Sequence, residues 1–238
     1  MRDSSKWQIG VVIPARNEEA LLPRCIESVL EAKSRVAALA TTNIVVVCDS
    51  STDSTGEIAR RMLASDGTVL EVNAGAVGRA RAEGASYLIQ RYQSRLSHYW
   101  IANTDADCVV PRDWLIKQVH LAMRDIHAVA GTVRVDSFSE HGPEVHSKFQ
   151  ASYLIRPDGT HPHVHGANLG CRADMYLRAG GWKAMKTAED HDLWNSLAAL
   201  GARRCSTSWL EVETSGRRVG RAPNGFAEAL AAHNETAA

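Results

Sequence analysis

The sequence lacks an excess of charge of either sign: across its 238 residues, 27 basic residues balance 27 acidic ones. This balance argues against a protein that binds nucleic acid mainly through bulk electrostatic attraction. Long hydrophobic runs are also missing, because no apolar stretch approaches the roughly 20 residues that cross a bilayer. The N-terminus lacks the apolar core of a signal peptide. We therefore expect a soluble, cytoplasmic protein without a transmembrane segment.

Cysteine is scarce. The five cysteines are scattered, odd in number and free of any Cys-x-x-Cys pair, so buried, reduced thiols in a reducing compartment are expected. Internal repeats, low-complexity segments and a linker rich in Pro, Gly or Ser are also lacking. A chain of this length without a linker predicts a single domain over residues 1–238.

What is present is a regular alternation of strands and helices in the first half of the chain. Strands are predicted at residues 9–14, 43–49 and 68–72, with a fourth ending at Asp105, and helices fill the intervals. This order predicts an α/β fold with a Rossmann-like, mainly parallel central sheet flanked by helices. The second half is less regular, with helices predicted at residues 114–124, 143–155 and 189–200 and strands at 128–136 and 168–172.

Asp105-Ala106-Asp107 is the most informative motif, because it follows the predicted fourth strand directly. Carboxylates at the carboxyl end of a strand in an open α/β sheet point into the crevice where such sheets bind ligands. Two hard oxygen donors one residue apart suit Mg²⁺ or Mn²⁺, which is usually shared with a ligand's phosphates. The motif therefore predicts a site for a nucleoside diphosphate. An Asx turn that caps the next helix at Asp113 is the alternative.

The ends of the first two strands also carry polar residues. In Pro14-Ala-Arg-Asn-Glu-Glu19 the backbone N–H groups can face a ligand, and Asn17 and Glu18 can hydrogen-bond a base or a ribose. An ordinary helix start is the alternative explanation of this segment. Asp49 ends the second strand, where its carboxylate can accept the imide N–H of uracil or bond a ribose hydroxyl.

Residues 73–81, Asn-Ala-Gly-Ala-Val-Gly-Arg-Ala-Arg, are rich in glycine without forming a known phosphate loop. They lack the Gly-Lys-Ser/Thr ending of a Walker sequence and the Gly-x-Gly-x-x-Gly spacing of a dinucleotide turn. Arg79 or Arg81 can steady a diphosphate or orient an aspartate of the metal site. A solvated helix face is the alternative.

The second half contributes two further polar clusters. His161-Pro-His-Val-His165 places three imidazoles at alternate positions, which would share a face in an extended segment and suggests zinc. Contacts with an acceptor, or plain loop histidines, are the alternatives, since Pro162 disfavours a regular strand. Glu189-Asp190 begins a predicted helix, where acids either cap the helix or supply a general base.

Set in order, these segments resemble the family 2 glycosyltransferases, which have the GT-A fold. Residues 14–19 look like the family's opening nucleotide contact, and residues 45–55 look like its Val-Asp-Asp-Gly-Ser-Thr-Asp segment. Residues 73–81 match its Asn-x-Gly-x-x-x-Ala-Arg stretch, Asp105-Ala-Asp107 its metal motif, and Glu189-Asp190 its late acidic pair. The resemblance runs from residue 9 to about residue 201.

The resemblance implies a glycosyltransferase, in particular a hexosyltransferase, with a nucleotide-binding half of about residues 8–110. An acceptor-binding half of about residues 111–215 and a tail of about residues 216–238 would follow. The donor would be a nucleotide-diphosphate sugar, with a UDP-sugar favoured, and the acceptor an unknown hydroxyl compound. The nucleotide contacts that the resemblance implies are Pro14, Ala15, Asn17, Glu18, Asp49, Arg81 and Asp105.

The resemblance also assigns the chemistry. Asp105 and Asp107 would hold Mg²⁺ or Mn²⁺ against the diphosphate, and Asp190, next to Glu189, would be the general base of an inverting attack at the anomeric carbon. His165 and Asn168 lie where the family builds its acceptor side and are the acceptor candidates.

Some features depart from the family or leave alternatives open. Cys48 and Ser50 replace an Asp and a Gly of the commonest form, and the Gln-x-x-Arg-Trp motif of processive synthases does not occur. Arg217, Arg218 and Arg221 either help to bind the diphosphate or form a solvated basic tail. A retaining GT-A transferase and a non-catalytic sugar-nucleotide-binding module are the competing functions. The sequence gives no indication of the oligomeric state.

Overall fold

A computed structural model of the chain describes residues 6–92, 95–185, 187–221 and 225–234. The described strands form a seven-stranded sheet in the order β3-β2-β1-β4-β6-β5-β7. The strands are β1 (Trp7–Ala15), β2 (Ala40–Asp49), β3 (Gly67–Val72), β4 (Tyr99–Asn103), β5 (Ala128–Val135), β6 (Leu169–Arg172) and β7 (Arg204–Thr214).

The sheet is mainly parallel. β1 pairs in parallel with β2 and β4, β2 with β3, and β5 with β7, whereas β6 runs antiparallel between β4 and β5. The predicted α/β class is therefore confirmed. The helices are α1 (Leu22–Val36), α2 (Thr55–Leu63), α3 (Val77–Arg91), α4 (Trp114–Met123), α5 (Val145–Ser152), α6 (Ala173–Arg178), α7 (Glu189–Ala199) and α8 (Phe226–Ala232).

The core lies on both faces of the sheet, which explains the apolar runs within the central strands, such as residues 44–47 of β2. Successive strand residues point to opposite faces. In β2, Ile44 and Val46 belong to one buried cluster and Val45 and Val47 to the other. A strand that is covered on both faces therefore needs apolar residues at every position.

Several boundaries and two elements differ from the sequence predictions. The first helix begins at Leu22 rather than near residue 18, because Asn17 has a left-handed backbone (φ 52°) and Pro23 lies in the first turn. β4 ends at Asn103, so Asp105 lies in the loop that follows the strand. The short helix α6 and the eleven-residue strand β7 were not predicted. No helix of the described ranges is long and apolar enough to cross a membrane.

Candidate active site

The candidate site lies at the carboxyl edge of the parallel strands. β1 lies between β2 and β4 in parallel register, so the loops that follow these three strands meet at one edge. Residues 16–19, Asp49 and residues 104–107 are therefore brought together, as the sequence predicted from the crevice rule of open sheets.

Arg81 connects the Asp-x-Asp motif to the late acidic pair. Its Nη2 donates to Oδ1 of Asp105 at 2.6 Å, and its Nη1 donates to Oε1 of Glu189 at 2.6 Å. The Arg81 side chain is 3% exposed, and that of Glu189 is 8% exposed. One buried cation thus holds two carboxylates that belong to distant parts of the sequence.

The surroundings of Arg81 keep its guanidinium in place. The guanidinium carbon lies 5.1 Å from the ring centre of Trp182, and a Cβ added to Gly166 would lie 2.5 Å from that carbon. Burial by itself lowers the pKa of Arg81, but the charges of Asp105 and Glu189 outweigh it and raise the pKa above its usual value. Of the two roles predicted for Arg81, the geometry therefore favours orienting an aspartate.

Asp107 and Glu18 share a second arginine. Nη2 of Arg217 lies 2.7 Å from Oε1 of Glu18 and 2.8 Å from Oδ2 of Asp107, and its Nη1 donates to Oε2 of Glu18 at 2.9 Å. The pKa of Asp107 is raised to about 6, chiefly by burial; the charge of Arg217 lowers it, and the nearby Asp105 and Glu18 raise it. Arg217 is therefore part of the site rather than of a solvated tail.

The carboxylates of Asp105 and Asp107 suit a divalent cation that is shared with a ligand. Mg²⁺ is commonly bound through one or two protein carboxylates, with substrate phosphates and water in the other positions. Within residues 6–92, 95–185, 187–221 and 225–234, no group of three or more His, Cys, Asp or Glu side chains is arranged to hold a metal. Two carboxylates are therefore a donor set of the kind that a Mg²⁺ or Mn²⁺ shared with a ligand uses.

Asp190 lies beside this cluster, at the start of α7. Its Oδ2 accepts a hydrogen bond from the backbone N–H of Gly166 at 3.0 Å, and its Oδ1 accepts one from the N–H of His191 at 2.7 Å. Because Gly166 also packs on Arg81, the loop that carries His165 is fixed next to both acids of the late pair. The structure therefore brings His165 and Asp190 together.

The three alternate histidines do share a face, as an extended segment predicts. The rings of His161, His163 and His165 stack at centroid distances of 5.8 and 6.1 Å, and Tyr153 stacks on His163 at 3.9 Å. We call this stack of Tyr153, His161, His163 and His165 the aromatic wall. Within the described residues, these rings are not part of a group that could hold a metal.

Tyr153 also fixes His165 through a hydrogen bond. The Tyr153 hydroxyl oxygen accepts the N–H of Val133 at 3.0 Å, which leaves its O–H free to donate to Nε2 of His165 at 2.9 Å. The pKa of His165 is lowered to about 3, chiefly by burial and to a smaller extent by the neighbouring His163, His161 and His191. His165 is therefore neutral at physiological pH.

The Asn168 side chain hydrogen-bonds within the sheet, whereas the sequence predicted that it contacts the acceptor. Its side chain is fully buried: Nδ2 donates to the carbonyls of Thr132 and Leu210, both at 2.8 Å, and Oδ1 accepts from Trp114 Nε1 at 3.0 Å. These bonds span the point where the pairing of β5 with β7 shifts register. The Asn168 side chain is therefore not open to an acceptor.

Two of the expected nucleotide contacts also hold loops of the site together. Oδ1 of Asn17 accepts the N–H of Thr52 at 2.8 Å, and the Asp49 carboxylate accepts the N–H groups of Ala74 at 2.7 Å and Gly75 at 3.0 Å. These hydrogen bonds fix the Asp49 carboxylate against the loop that follows β3. Pro14 and Ala15 are buried at the end of β1.

Sequence reasoning missed several residues that support the site. Trp182, Gly166 and Gly78 surround the Arg81 group: a Cβ added to Gly78 would lie 2.2 Å from the Lys183 carbonyl oxygen. The Gly-Gly-Trp182 run and the glycine next to His165 were visible in the sequence. Only the fold places them around one arginine.

Comparison with solved structures defines the class of the fold. The chain is similar to a mannosyltransferase, PcManGT, from Pyrobaculum calidifontis in complex with GDP-Man and Mn²⁺ (TM-score 0.64, 19% identity, 97% of this chain and 70% of that chain). It is also similar to S. aureus TarS 1–349 (TM-score 0.62, 15% identity, 88% and 60%) and to GalNAc-T7 with UDP, GalNAc and Mn²⁺ (TM-score 0.64, 15% identity, 90% and 45%). The chain thus has the GT-A fold of these glycosyltransferases but spans less than two thirds of the TarS and GalNAc-T7 chains.

The sequence then identifies the family. A profile of glycosyl transferase family 2 matches residues 10–177, which is most of the chain, so the chain belongs to this family. No curated protein sequence matches the chain significantly. The resemblance stated from the motifs is therefore confirmed.

Proposed function

We propose that this glycosyltransferase moves a hexosyl group from a nucleoside-diphosphate sugar, with UDP as the favoured nucleotide, to a hydroxyl acceptor with inversion at the anomeric carbon. The observation that carries the proposal is the double contact of Arg81 with Asp105 and Glu189, at 2.6 Å each. It joins the motif suited to a diphosphate and the acids suited to proton removal in one site.

The residues have separate roles in this proposal. Asp105 and Asp107 hold Mg²⁺ or Mn²⁺, which when bound supplies positive charge against the departing diphosphate. Asp190 takes the proton of the attacking hydroxyl, since a carboxylate within hydrogen-bond reach can act as a general base. The N–H of Gly166 keeps the Asp190 carboxylate directed toward the loop of His165, which contacts the acceptor.

Two properties of similar structures support the donor and the metal. PcManGT was crystallised with GDP-Man and Mn²⁺, and GalNAc-T7 with UDP, GalNAc and Mn²⁺. S. aureus TarS 1–349 was crystallised with UDP. We propose a UDP-sugar as the donor of this chain, and a GDP-sugar is the alternative that the titration described next must distinguish. We also propose that the protein is located in the cytoplasm.

A calorimetric titration tests the donor site. UDP, GDP, ADP and CDP are titrated into the wild-type protein and into Asp105→Asn/Asp107→Asn, each with Mn²⁺ and with EDTA. The proposal expects wild-type UDP affinity to rise with Mn²⁺ and the double variant to lose this gain. Equal UDP affinity of the two proteins under both conditions would exclude a metal bridge.

Product analysis tests the stereochemistry. With a donor and an acceptor that turn over, the anomeric configuration of the glycoside product is compared by NMR with that of the donor. Retained configuration would replace the inverting mechanism with a retaining one. A protein that binds UDP but turns over no sugar nucleotide with any acceptor would fit the non-catalytic module instead.

A further inference from the structure

The segment of residues 215–221, which we call the return segment, leads from the end of β7 back to the site. Gly216 is fixed from two sides: its N–H donates to Oδ1 of Asp136 at 2.9 Å, and its carbonyl lies 2.8 Å from Nε2 of His141. A Cβ at this position would lie 1.8 Å from the carbonyl oxygen of Ser137, so only glycine fits. This fixed point directs the next residue, Arg217, into the acid cluster.

Arg217 is held by two carboxylates from different loops. It makes a bidentate contact with Glu18 and an ion pair with Asp107 at 2.8 Å. Arg221 adds a hydrogen bond from Nη2 to the carbonyl of Asn17 at 2.9 Å. The return segment therefore closes over the loop after β1 and over one of the two proposed metal ligands.

The two arginines of the site differ in their freedom to move. The Arg81 side chain is 3% exposed and is enclosed by Trp182 and Gly166, whereas the Arg217 side chain is 18% exposed and belongs to a loop. Arg81 can therefore keep its partners while a ligand binds. Arg217 can change its partner by moving its side chain alone.

A divalent cation on Asp107 would oppose the present position of Arg217. Like charges at such short distances repel each other, and a divalent cation carries twice the charge of the guanidinium. A diphosphate that arrives with the cation offers Arg217 a new partner, since the planar guanidinium matches the geometry of phosphate oxygens.

We propose that Arg217 is an exchangeable counter-ion of the donor site. It neutralises Asp107 in the donor-free protein, and it moves to the diphosphate of the donor when a divalent cation takes its place on Asp107. This inference rests on the proposed metal-dependent donor site. It assigns a donor-binding role to Arg217 and explains how a cluster of acids stays paired before the cation binds.

The exchange predicts opposite signs for two binding constants of Arg217→Gln. Mn²⁺ alone, measured by electron paramagnetic resonance of the free ion, should bind more tightly to the variant, because its competitor for Asp107 is gone. UDP titrated into the Mn²⁺-saturated variant should bind about tenfold more weakly, which corresponds to the loss of one charge-assisted hydrogen bond. Arg218→Gln, the neighbouring exposed arginine, is the matched control and should change neither constant by more than about twofold.

Any other pattern in Arg217→Gln overturns the exchange, whether both constants stay unchanged or both move in the same direction. If Arg217→Gln does not fold, Arg217→Lys replaces it. Lysine lacks the fork that binds Glu18, so the same two opposite shifts are expected at smaller size. If the wild-type protein itself binds no Mn²⁺ and its UDP affinity is the same in EDTA, the metal-dependent donor site fails and the exchange fails with it. If wild-type UDP binding depends on Mn²⁺ but Arg217→Gln behaves like Arg218→Gln, only the exchange fails.

Discussion

Arg81 and Glu189, 108 residues apart in the sequence, form a buried ion pair at 2.6 Å. The same guanidinium holds Asp105, so the position of the loop after β4 relative to the start of α7 depends on one side chain. A charge left buried without its partner is costly, whereas the removal of both charges together costs less. The free energy of unfolding of variants at Arg81 and Glu189 therefore reports on the contact between these two residues.

We expect Arg81→Met to lower the free energy of unfolding by about 3–5 kcal/mol, because Glu189 would be left buried and unpaired. Urea unfolding followed by tryptophan fluorescence measures this loss. The double variant Arg81→Met/Glu189→Met should be less destabilised than the sum of the two single variants. Strict additivity of the two losses would mean that the charges do not interact.

Gly78→Ala should also weaken the contact between Arg81 and Glu189, because Gly78 packs against Glu189. The added Cβ would lie 2.2 Å from the backbone carbonyl of Lys183 and 3.1 Å from Cβ of Glu189, so α3 and the start of α7 must separate. We expect a loss of about 1–3 kcal/mol in thermal or urea unfolding, as for other overpacked sites.

Gly56→Ala is the matched control for Gly78→Ala. Both glycines are the second residue of a helix, but the nearest atom to a Cβ at Gly56 is the movable carboxylate of Glu71, at 3.2 Å. The control should gain about 0.5–1 kcal/mol from the better helix propensity of alanine. If both variants change stability alike, close packing at Gly78 is not the cause.

The sequence predicts those parts of the fold that have a local pattern. Residues 44–47 of β2 and 99–102 of β4 are short, uninterrupted apolar runs, and the acids near the ends of these strands lie at one sheet edge because both strands run parallel to β1. β7 was not predicted although residues 210–213 alternate apolar with polar side chains. Its partner β5 lies more than 70 residues earlier, and the register shift at Gly131/Thr132 has no local signature.

For the site too, residues with a local motif can be predicted from the sequence, and contacts between distant segments cannot. Asp105, Asp107 and Asp190 can be named from their motifs, but the partners of these residues cannot. Arg217 reaches Glu18 across 199 residues, and an exposed basic tail has the same composition as a segment that returns to the site. Asn168 was named from its motif, yet its amide fills a register shift in the sheet, which depends on long-range strand pairing.

Asp190→Asn should stop sugar transfer without changing UDP affinity. The amide keeps the size of the side chain but cannot take a proton, so a loss of about 10²–10⁴ in turnover is expected for a general base. Release of UDP from a panel of UDP-sugars, with simple alcohol and sugar acceptors, measures turnover. Asp113→Asn is the charge-matched control, because Asp113 is a partly exposed acid that precedes α4 and pairs with Lys117. Undiminished turnover in Asp190→Asn would remove this residue from the mechanism.

His165 should make the protein less stable in acid. Its pKa is about 3 in the folded protein and about 6.5 when unfolded. Between these two pKa values, the His165 ring is therefore protonated in the unfolded state but not in the folded state. The contribution of the neutral ring is fully present above pH 6.5 and is lost as the pH falls toward 3, by at most about 1.4 kcal/mol per pH unit.

The difference in unfolding free energy between the wild-type protein and His165→Gln isolates this effect, because His161, His163 and His191 remain in both proteins. The difference should be constant above pH 6.5, and the wild-type protein should lose stability relative to the variant below it. In NMR spectra, one imidazole signal that is absent from His165→Gln should not titrate between pH 5 and 8. A parallel pH dependence of the two proteins would mean that His165 accepts its proton equally well in the folded and unfolded states. The neighbouring rings of Tyr153 and His163 would then leave the His165 ring open to water, rather than hold it as a neutral group beside Asp190.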